Sequence, residues 1–348
     1  MIKSHQPRGS PLQVDRFDDS QSLRVLILTS PKAGSGAGRD EIPKVERRLG
    51  ELGISCEVIV SIDEMRELLT KTDSYKRTIV VAAGGDGTYC LAATLIRESR
   101  IRESRIRESR GGDLLNGSIA DADREPFSHQ TYLLPMPLGT ENLLAREYKH
   151  SNLAEDVIAA LRFGAIQETD LGLCGDRVFL IMASSGFDAE VVRWLHLTRG
   201  GHISRLTYLK PIIRSMFSFR FPPQRVTVDG EFIGEFAWVM AFNLPQYGGD
   251  LRIEPDADGT DGCLDVILFK NRGILSGLRY VWKISRAKHL TDASVHRVRG
   301  KEISVESDQR VPLQIDGDCI GELPATIRVL PKAMSLVMPA SGEAEHGH

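Results

Sequence analysis

The chain has 348 residues, 41% of them hydrophobic and 26% charged, with a formal net charge of -3 at pH 7. This length accommodates two domains with separate cores, and the composition is typical of a soluble globular protein. The small net charge gives no overall bias toward nucleic acid, so we expect no nucleic-acid partner. No apolar run in the sequence reaches the roughly 18 residues that a membrane-spanning helix needs.

The cysteines and the chain ends also limit the possibilities. Five cysteines are scattered along the sequence without a C-x-x-C pair, which argues against a disulfide framework or a zinc site and predicts a reducing, cytoplasmic location. Residues 1–22 lack the apolar core of a signal peptide, and we expect them to form a disordered lead-in. Residues 341–348 are expected to be a similar tail.

Short apolar strands alternate with helices between residues 23 and 165. The predicted strands are RVLILTS, CEVIV, TIVVAA and TYLLPMPLG, and the first is followed by apolar residues at helical spacing. Ser61 to Glu64 form a capping-box pattern that predicts the start of another helix. This alternation predicts a doubly wound, Rossmann-like α/β domain with a parallel sheet, in which ligands bind at the carboxyl ends of the strands.

A perfect repeat interrupts this first domain. The pentapeptide IRESR occurs three times in succession, at 96–100, 101–105 and 106–110. A five-residue repeat turns successive isoleucines by about 140° on a helix, so it forms no continuous apolar stripe. The repeat is either a basic binding arm or an expansion tolerated in a surface loop. We favour the second interpretation, an inserted loop over residues 97–128.

The pattern changes to strands and hairpins from residue 166 to about 324. Gly175-Asp176 and Asp229-Gly230 predict hairpin turns, and CLDVILFK, EISVES and VPLQIDG predict further strands. Helices are expected at about 187–217 and 273–287. The sequence therefore predicts a second, β-rich domain.

Glycine-rich turns follow three of the predicted strands of the first domain. Gly84 to Thr88 (GGDGT) is the most informative, because bare backbone N–H groups at the start of a helix bind phosphate. Asp86 would be repelled by a bare phosphate, which indicates a nearby magnesium ion or a proton-transfer role, although an aspartate that caps a tight turn is the alternative. Ser30 to Gly38 and the PLGTEN segment around Thr140 are weaker candidates of the same kind, and simple helix capping explains the latter equally well.

Two Asp-Gly segments of the second domain carry closely spaced carboxylates. Asp258 to Cys263 (DGTDGC) offers oxygen ligands for a hard cation. Asp316-Gly317-Asp318 ends a predicted strand and could supply a base that deprotonates a hydroxyl group. Taken alone, a segment of this kind is more often an ordinary hairpin turn.

Taken in order, these segments resemble the catalytic region of diacylglycerol kinases, sphingosine kinases and soluble bacterial lipid kinases. The resemblance covers about residues 23–335 and rests on GGDGT, PLGTENLLAR, SGFDAE, DGCLDV and the final DGD. It implies an NAD kinase/diacylglycerol kinase-like fold: an α/β domain, a β-sandwich-type second domain, and a return of residues 325–340 to the first domain. It also implies phosphorylation of a lipid hydroxyl that depends on ATP and Mg²⁺. NAD kinases and phosphofructokinases carry a similar GGDG turn, but their other motifs are missing from this sequence.

The resemblance also assigns residues. It places the catalytic base at Asp318, with Asp316 in reserve, and magnesium on Asp261 with backbone oxygens of Asp258 and Cys263. Asp170 belongs to the network linked to that metal, and Asp86 to the catalytic carboxylates. ATP is expected to contact Ser30, Pro31, Lys32, Ala33, Gly34, Ser61, Gly84, Gly85, Asp86, Gly87, Thr88, Tyr89, Cys90, Leu91, Gly139 and Thr140. The chain departs from the family at Ser30 and Cys90, where asparagine is usual, and at Asp318, where glutamate is usual.

A basic stretch indicates where the protein could meet a membrane. No acidic residue lies between Glu190 and Asp229, whereas seven arginines and lysines do, interleaved with apolar residues. This pattern predicts docking on an anionic membrane surface, and a helix packed on the second domain is the alternative. The sequence leaves open a homodimer, a kinase of a soluble alcohol, and a protein on the same fold that binds lipid or nucleotide without catalysis.

Overall fold

The computed structural model describes residues 23–30, 38–71, 75, 77–109, 130–197, 214–215, 218–248 and 251–340. The chain divides into two compact units, one of residues 1–169 and 332–348 and one of residues 170–331. These boundaries fall a few residues after the expected ones at 165 and 324. Within the described residues, no helix has the length and apolar character needed to cross a bilayer.

The first unit alternates strands and helices as the sequence predicts. Its elements up to the first boundary are β1 (Leu23–Thr29), α1 (Glu41–Glu51), β2 (Ser55–Ile59), α2 (Ile62–Thr70), β3 (Arg77–Gly84), α3 (Asp86–Ser109), β4 (Gln130–Pro137), α4 (Leu143–Glu147) and α5 (Ala154–Phe163).

These strands form a parallel sheet in the order β2-β1-β3-β4. Val25 of β1 lies opposite Ile79 of β3, and both are buried. Helix α1 packs its buried residues Ile42, Val45 and Leu49 into the same core, as their helical spacing predicts. The Ser61 hydroxyl accepts the Glu64 N–H and so begins α2 as the capping pattern indicates. The doubly wound α/β fold is confirmed.

The expectation of a loop over residues 97–128 is wrong for its first part, because α3 continues to Ser109 through the repeats. Arginine, glutamate and isoleucine tolerate helical backbone, and no glycine or proline interrupts them before Gly111. The first copy is also anchored: Ile96 is fully buried, and Arg100 donates to the carbonyls of Ala333 (2.7 Å) and Thr131 (3.1 Å). Residues 110–128 of that expectation lie outside the described residues.

The second unit is made almost entirely of strands. From the first boundary onward the elements are β5 (Ile166–Cys174), β6 (Arg177–Phe179), β7 (Met182–Ser185), α6 (Phe187–Leu197), β8 (Gln224–Val228), β9 (Glu231–Phe236), β10 (Trp238–Phe242), β11 (Gln246–Tyr247), β12 (Leu251–Arg252), β13 (Leu264–Phe269), α7 (Ile274–Ser285), β14 (Val295–Gly300), β15 (Glu302–Glu306), β16 (Pro312–Ile315), β17 (Asp318–Glu322) and β18 (Ala325–Val337).

Two antiparallel layers enclose the core of this unit. One layer has the order β14-β13-β10-β7-β16-β17, and the other contains β9, β8, β15 and the first part of β18. Their inward side chains form one apolar cluster, with Val239 and Val266 from the first layer and Val226 and Ile303 from the second. The predicted β-sandwich is therefore confirmed.

Some local expectations for the second unit need correction. The helix expected at about 187–217 is α6, which ends at Leu197, and residues 198–213 lie outside the described part. The helix expected at 273–287 is present as α7. The end of β18 belongs to the first unit, where Leu336 pairs in parallel with Leu133 of β4.

Candidate active site

Two glycine turns meet at one edge of the first unit's sheet. Gly84 ends β3 and Gly139 follows β4, and because these strands are parallel neighbours, their turns lie side by side. The backbones touch: a Cβ atom built on Gly139 would lie 2.5 Å from the Cα atom of Gly85. Only glycine fits at such a distance, so the GGDGT and PLGT segments depend on each other for their shape.

The Gly84 carbonyl oxygen ties these turns together. It accepts the N–H groups of Leu138 (2.8 Å) and Gly139 (3.2 Å) and the hydroxyl group of Tyr89 (2.9 Å). Tyr89 is fully buried, and this burial raises the pKa of its hydroxyl. The Tyr89 side chain therefore supports the turn from inside, and only its backbone remains for the nucleotide contact that the resemblance implies.

Asp86 caps a neighbouring helix. Its half-buried carboxylate accepts the N–H of Leu144 in α4 at 3.2 Å, across from the helix that it begins. Burial raises the pKa of the Asp86 carboxyl, and the N–H groups of Leu143 and Leu144 oppose this rise. Asp86 therefore links the GGDGT turn to α4, the helix that follows the PLGT turn.

Asn142, in the PLGTEN segment, is a supporting residue that the sequence reading missed. Its side chain accepts the Gly139 N–H at 2.9 Å and donates to the Gly139 carbonyl at 2.8 Å. Its backbone is left-handed, with φ of 51°, a conformation that asparagine tolerates better than most residues. An asparagine two residues after a Gly-Thr turn was the available signal.

The remaining nucleotide candidates of the first unit are scattered along strand ends and α3. Ser30 follows β1 directly, and Ser61 is the exposed N-cap of α2. Thr140 and Gly87 are exposed, whereas Thr88, Cys90 and Leu91 are half-buried. A Cβ atom on Gly87 would meet nothing within 4 Å, so the space beside this residue is open. Pro31, Lys32, Ala33 and Gly34 lie outside the described residues.

In the second unit, Asp316 is an anchor of the hairpin between β16 and β17. Its carboxylate accepts three consecutive backbone N–H groups, those of Leu180 (2.6 Å), Ile181 (2.9 Å) and Met182 (2.9 Å). A carboxylate held in this way is a poor proton acceptor. Asp318 begins β17 and is exposed, which favours it over Asp316 as a base.

A buried polar network lies behind this hairpin. Asp188, from the SGFDAE segment, is buried and accepts hydrogen bonds from Ser184, from Trp238 Nε1 (2.6 Å) and from Gln314 Nε2 (3.2 Å). Burial raises the pKa of the Asp188 carboxyl, and its hydrogen bonds oppose this rise. Gln314 also accepts the Gly317 N–H at 2.9 Å, so the network fixes the turn that carries Asp318. The sequence reading assigned no role to Asp188.

The acidic turn between Asp258 and Cys263 is held by three carboxylates. Asp258 accepts the backbone N–H (3.1 Å) and hydroxyl (2.6 Å) of Thr260, and Asp261 accepts the Cys263 N–H at 3.0 Å. Asp170 accepts the Gly262 N–H at 2.7 Å, so the structure brings Asp170 to this turn as the resemblance implies.

Arg299 neutralises the outer side of the same turn. It forms ion pairs with Asp261 and, at 3.0 Å, with Asp265. Burial raises the pKa of the Asp265 carboxyl to about 6, and Arg299 opposes this rise. Glu254 and Asp256 are paired similarly with Arg297.

The donors at this turn suit a hard cation such as magnesium. Within the described part of the chain, no three His, Cys, Asp or Glu side chains are grouped as metal ligands. With so few carboxylates close together, a metal ion at this turn would be held by the Asp261 carboxylate and by the backbone oxygens of Asp258 and Cys263. The buried Nδ2 group of Asn243 is the part of that side chain nearest to Gly259, and it donates to the carbonyls of Asp170 (3.1 Å) and Leu180 (2.8 Å). A cation at this turn would compete with Arg299 for the Asp261 carboxylate.

Contacts within the basic stretch correct the expectation of seven unopposed cations. Arg193 pairs with Glu190 at 2.7 Å, and Arg225 pairs with Asp308 at 2.9 Å. Arg214 stacks on the Trp194 ring at 3.9 Å from its centroid. The stretch between Glu190 and Asp229 contains no acidic residue, but at least two of its arginines still have acidic partners. These partners are Glu190, at the start of the stretch, and Asp308, just after β15. Residues 198–213 and 216–217 of this stretch lie outside the described residues.

Comparison with known families agrees with this geometry. Residues 24–174 match the diacylglycerol kinase catalytic domain. This part of the chain belongs to the diacylglycerol kinase catalytic domain family. Residues 181–338 match the YegS C-terminal NAD kinase beta sandwich-like domain, so the two matches together span both units. The family resemblance that the motifs indicate is confirmed, and a diacylglycerol kinase catalytic domain supports a kinase and implies the use of ATP.

Individual relatives are similar over nearly their whole length. A diacylglycerol kinase of Mycobacterium tuberculosis is 27% identical, with 92% of this chain and 96% of the relative covered. A diacylglycerol kinase of Bacillus subtilis is 23% identical, with 91% and 96% covered. The crystal structure of a diacylglycerol kinase from Bacillus anthracis superposes with a TM-score of 0.63 at 19% identity, covering 90% of this chain and 96% of that one. At this identity the superposition supports the fold.

Proposed function

We propose that this protein transfers the γ-phosphate of ATP to the hydroxyl group of a lipid, either diacylglycerol or a close relative of it, at a membrane surface. The observation that carries this proposal is the backbone contact between Gly85 and Gly139 within a diacylglycerol kinase catalytic domain. Two parallel strands end there in bare backbone, which is the surface that a phosphate chain needs. The relatives named diacylglycerol kinase support this choice of acceptor.

The first unit would bind the nucleotide. Helix α3 begins at Asp86, so the positive end of its dipole points toward the turn. Asp86 secures α4 through Leu144, and Asn142 secures Gly139, so both turns are rigid before ATP arrives. Ser30, Ser61 and Thr140 would complete the nucleotide contacts from neighbouring strand ends.

The second unit would supply the base and the metal turn. Asp318 takes the proton of the lipid hydroxyl, whose oxygen then bonds to the γ-phosphorus while the bond to the β,γ-bridging oxygen breaks and ADP leaves. Asp261, with the backbone oxygens of Asp258 and Cys263, would hold magnesium, which supplies charge neutralisation when bound. Positioning then contributes most of the rate enhancement.

Phosphate transfer from labelled ATP tests the proposal. Diacylglycerol, sphingoid bases, a soluble alcohol and a crude lipid extract are offered as acceptors, and we expect a labelled lipid from diacylglycerol. Asp318→Asn should lower turnover by at least about 100-fold, which is the usual contribution of a general base, with an unchanged melting temperature. Glu322→Gln, on the same strand, is the control and should retain turnover. Wild-type-like turnover in Asp318→Asn would show that the base lies elsewhere.

The variant Asp316→Asn tests whether Asp318 or Asp316 is the base. An asparagine side chain offers one acceptor oxygen to three N–H groups, so this variant should be destabilised by about 1–3 kcal/mol. Thermal unfolding measures that loss. If Asp316→Asn abolishes turnover without loss of stability, Asp316 is the base and Asp318 is not.

A further inference from the structure

Helix α7 exposes an apolar stripe to solvent. Its exposed large apolar side chains are Ile274 (37%), Leu275 (84%), Leu278 (47%) and Trp282 (52%), and together they make up four of the eleven such side chains in the described chain. The opposite side of the helix is already packed, because Gly277, Tyr280 and Ile284 are buried. The stripe is therefore not needed for packing within the unit.

The stripe lies in a strongly basic part of the sequence. Residues 270–291 contain six lysines and arginines and no aspartate or glutamate. Arg279 and Lys283 are neutralised by the next acid along the chain, Asp292, at 3.2 and 3.0 Å. The other four form no ion pair with a carboxylate of the described residues; they are Lys270, Arg272, Arg286 and Lys288.

The position of Arg286 connects the two features. Its guanidinium stacks on the Trp282 ring at 4.7 Å from the centroid, so charge and apolar surface lie side by side. An apolar stripe flanked by cations and containing tryptophan is suited to the boundary between lipid headgroups and acyl chains. With 12 residues the helix is about 18 Å long, too short to span a bilayer of about 30 Å.

We propose that this face, defined as Ile274, Leu275, Leu278, Trp282, Arg286 and Lys288 and called the α7 face, docks the protein on an anionic lipid surface. The proposal rests on the proposed function and names the element through which the kinase meets the membrane. A second copy of the chain fits the charge less well, because pairing two α7 faces would bring equal sets of cations together. An anionic leaflet attracts the same cations, by about 1 kcal/mol each. The α7 face shares no residue with the basic stretch at 190–229.

Sedimentation with vesicles tests the α7 face. Vesicles of phosphatidylcholine alone and mixed with phosphatidylglycerol are compared at low and high salt, and wild-type protein should bind the mixed vesicles better, less so at high salt. Leu275→Ser/Trp282→Ser should weaken binding by at least about tenfold, because two side chains lose apolar burial. Arg286→Gln/Lys288→Gln should weaken binding and reduce its salt dependence. Phe232→Ser, which removes a 61% exposed phenylalanine from β9, is the matched control and should bind normally.

Tryptophan fluorescence gives an independent measurement. The chain has three tryptophans, and a blue shift on adding mixed vesicles should disappear in Trp282→Phe while binding largely persists. Wild-type binding by folded Leu275→Ser/Trp282→Ser, with a normal melting temperature, would overturn the proposal. Dimerisation that depends on Leu275 and Trp282, without vesicle binding, would overturn it in favour of a second copy.

Activity on a short-chain diacylglycerol dissolved as monomers separates this proposal from the proposed function. Variants of the α7 face should phosphorylate it at the wild-type rate and lose activity only on vesicle-bound substrate. If wild-type protein binds vesicles through the α7 face but phosphorylates no lipid, the α7 face stands and the proposed function fails. If the variants act on vesicles like the wild type, the proposed function stands and the α7 face fails.

Discussion

Gly139 and Gly87 belong to the same pair of turns but have different reasons to be glycine. A Cβ atom on Gly139 would press on the backbone of Gly85 at 2.5 Å and on Asn142 Oδ1 at 2.7 Å. We therefore expect Gly139→Ala to cost about 1–3 kcal/mol of unfolding free energy, as overpacking does, and to weaken ATP binding as well. Gly87 lies in a helix beside open space, so Gly87→Ala should leave stability unchanged or slightly raised.

ATP binding distinguishes the two substitutions further. If the open space beside Gly87 receives the phosphates, a methyl group there should weaken ATP binding at least several-fold despite normal stability. Thermal unfolding and calorimetric titration with ATP measure the two effects separately. Normal nucleotide affinity in Gly87→Ala would show that the phosphates bind elsewhere, and normal stability in Gly139→Ala would contradict the close contact with Gly85.

At this scale the sequence could predict the residue types but not their contacts. GGDGT after a strand was sufficient to propose a phosphate site, because the chemistry lies in the local turn. The approach of Gly85 to Gly139 and the capping of α4 by Asp86 join residues more than fifty positions apart. Such contacts depend on how the strands align, which no local pattern specifies.

At the scale of elements, the IRESR repeats show how identical sequences acquire different environments. Arg100 and Arg105 hold the same position in successive copies, but five residues rotate the second by about 140° around the helix. Arg100 consequently donates to the carbonyls of Ala333 and Thr131, whereas Arg105 is exposed. The arginine of the first copy is structural, and the arginine of the second copy is exposed to solvent.

These two arginines provide a matched test. Arg100→Ala removes charge-assisted hydrogen bonds to two carbonyls and should lower the unfolding free energy by about 1–3 kcal/mol. Arg105→Ala should change it by less than about 0.5 kcal/mol, as surface substitutions usually do. Urea unfolding of both variants measures the difference. Equal losses would mean that the repeat stabilises the protein only through its helical propensity.

The repeats also show why one element was predicted wrongly. A continuous apolar stripe is the usual sign of a packed helix, but α3 needs only Ile96 and its neighbours in the core, and Arg100 replaces an apolar contact with hydrogen bonds. The exposed side of α7 was missed for the opposite reason. Helical spacing predicts that apolar residues face a core, and Leu275 and Trp282 do not.

For the whole molecule, the order of strands and helices was predictable because each domain follows a strong local period. A period near two residues in the second unit and alternating strands and helices in the first separate the two fold classes. No local pattern in the sequence predicts that the segment from residue 332 onward belongs to the first unit. Its placement there depends on contacts such as Leu336 with Leu133 and the Met338 N–H with the Ala165 carbonyl, which are distant in sequence.

His150, which contacts the end of β18, should make the unfolding free energy depend on pH. Its Nε2–H donates to the Val337 carbonyl at 2.8 Å, and burial lowers its pKa from 6.5 to about 4. The native state therefore binds fewer protons than the unfolded chain between about pH 6.5 and pH 4. Unfolding free energy should fall as pH drops through this window, by about 1–3 kcal/mol from this residue.

His150→Gln removes the titration while keeping an N–H donor for Val337. The difference in unfolding free energy between wild type and this variant, measured by urea titration from pH 7.5 to pH 4, isolates the contribution of His150 from that of the eight other histidines. We expect the wild type to lose its advantage over the variant as the pH falls through the window. A difference that stays constant across this range would mean that the pKa of His150 is not lowered in the folded protein. In that case a neutral, buried His150 ring would not be what binds Val337 of β18.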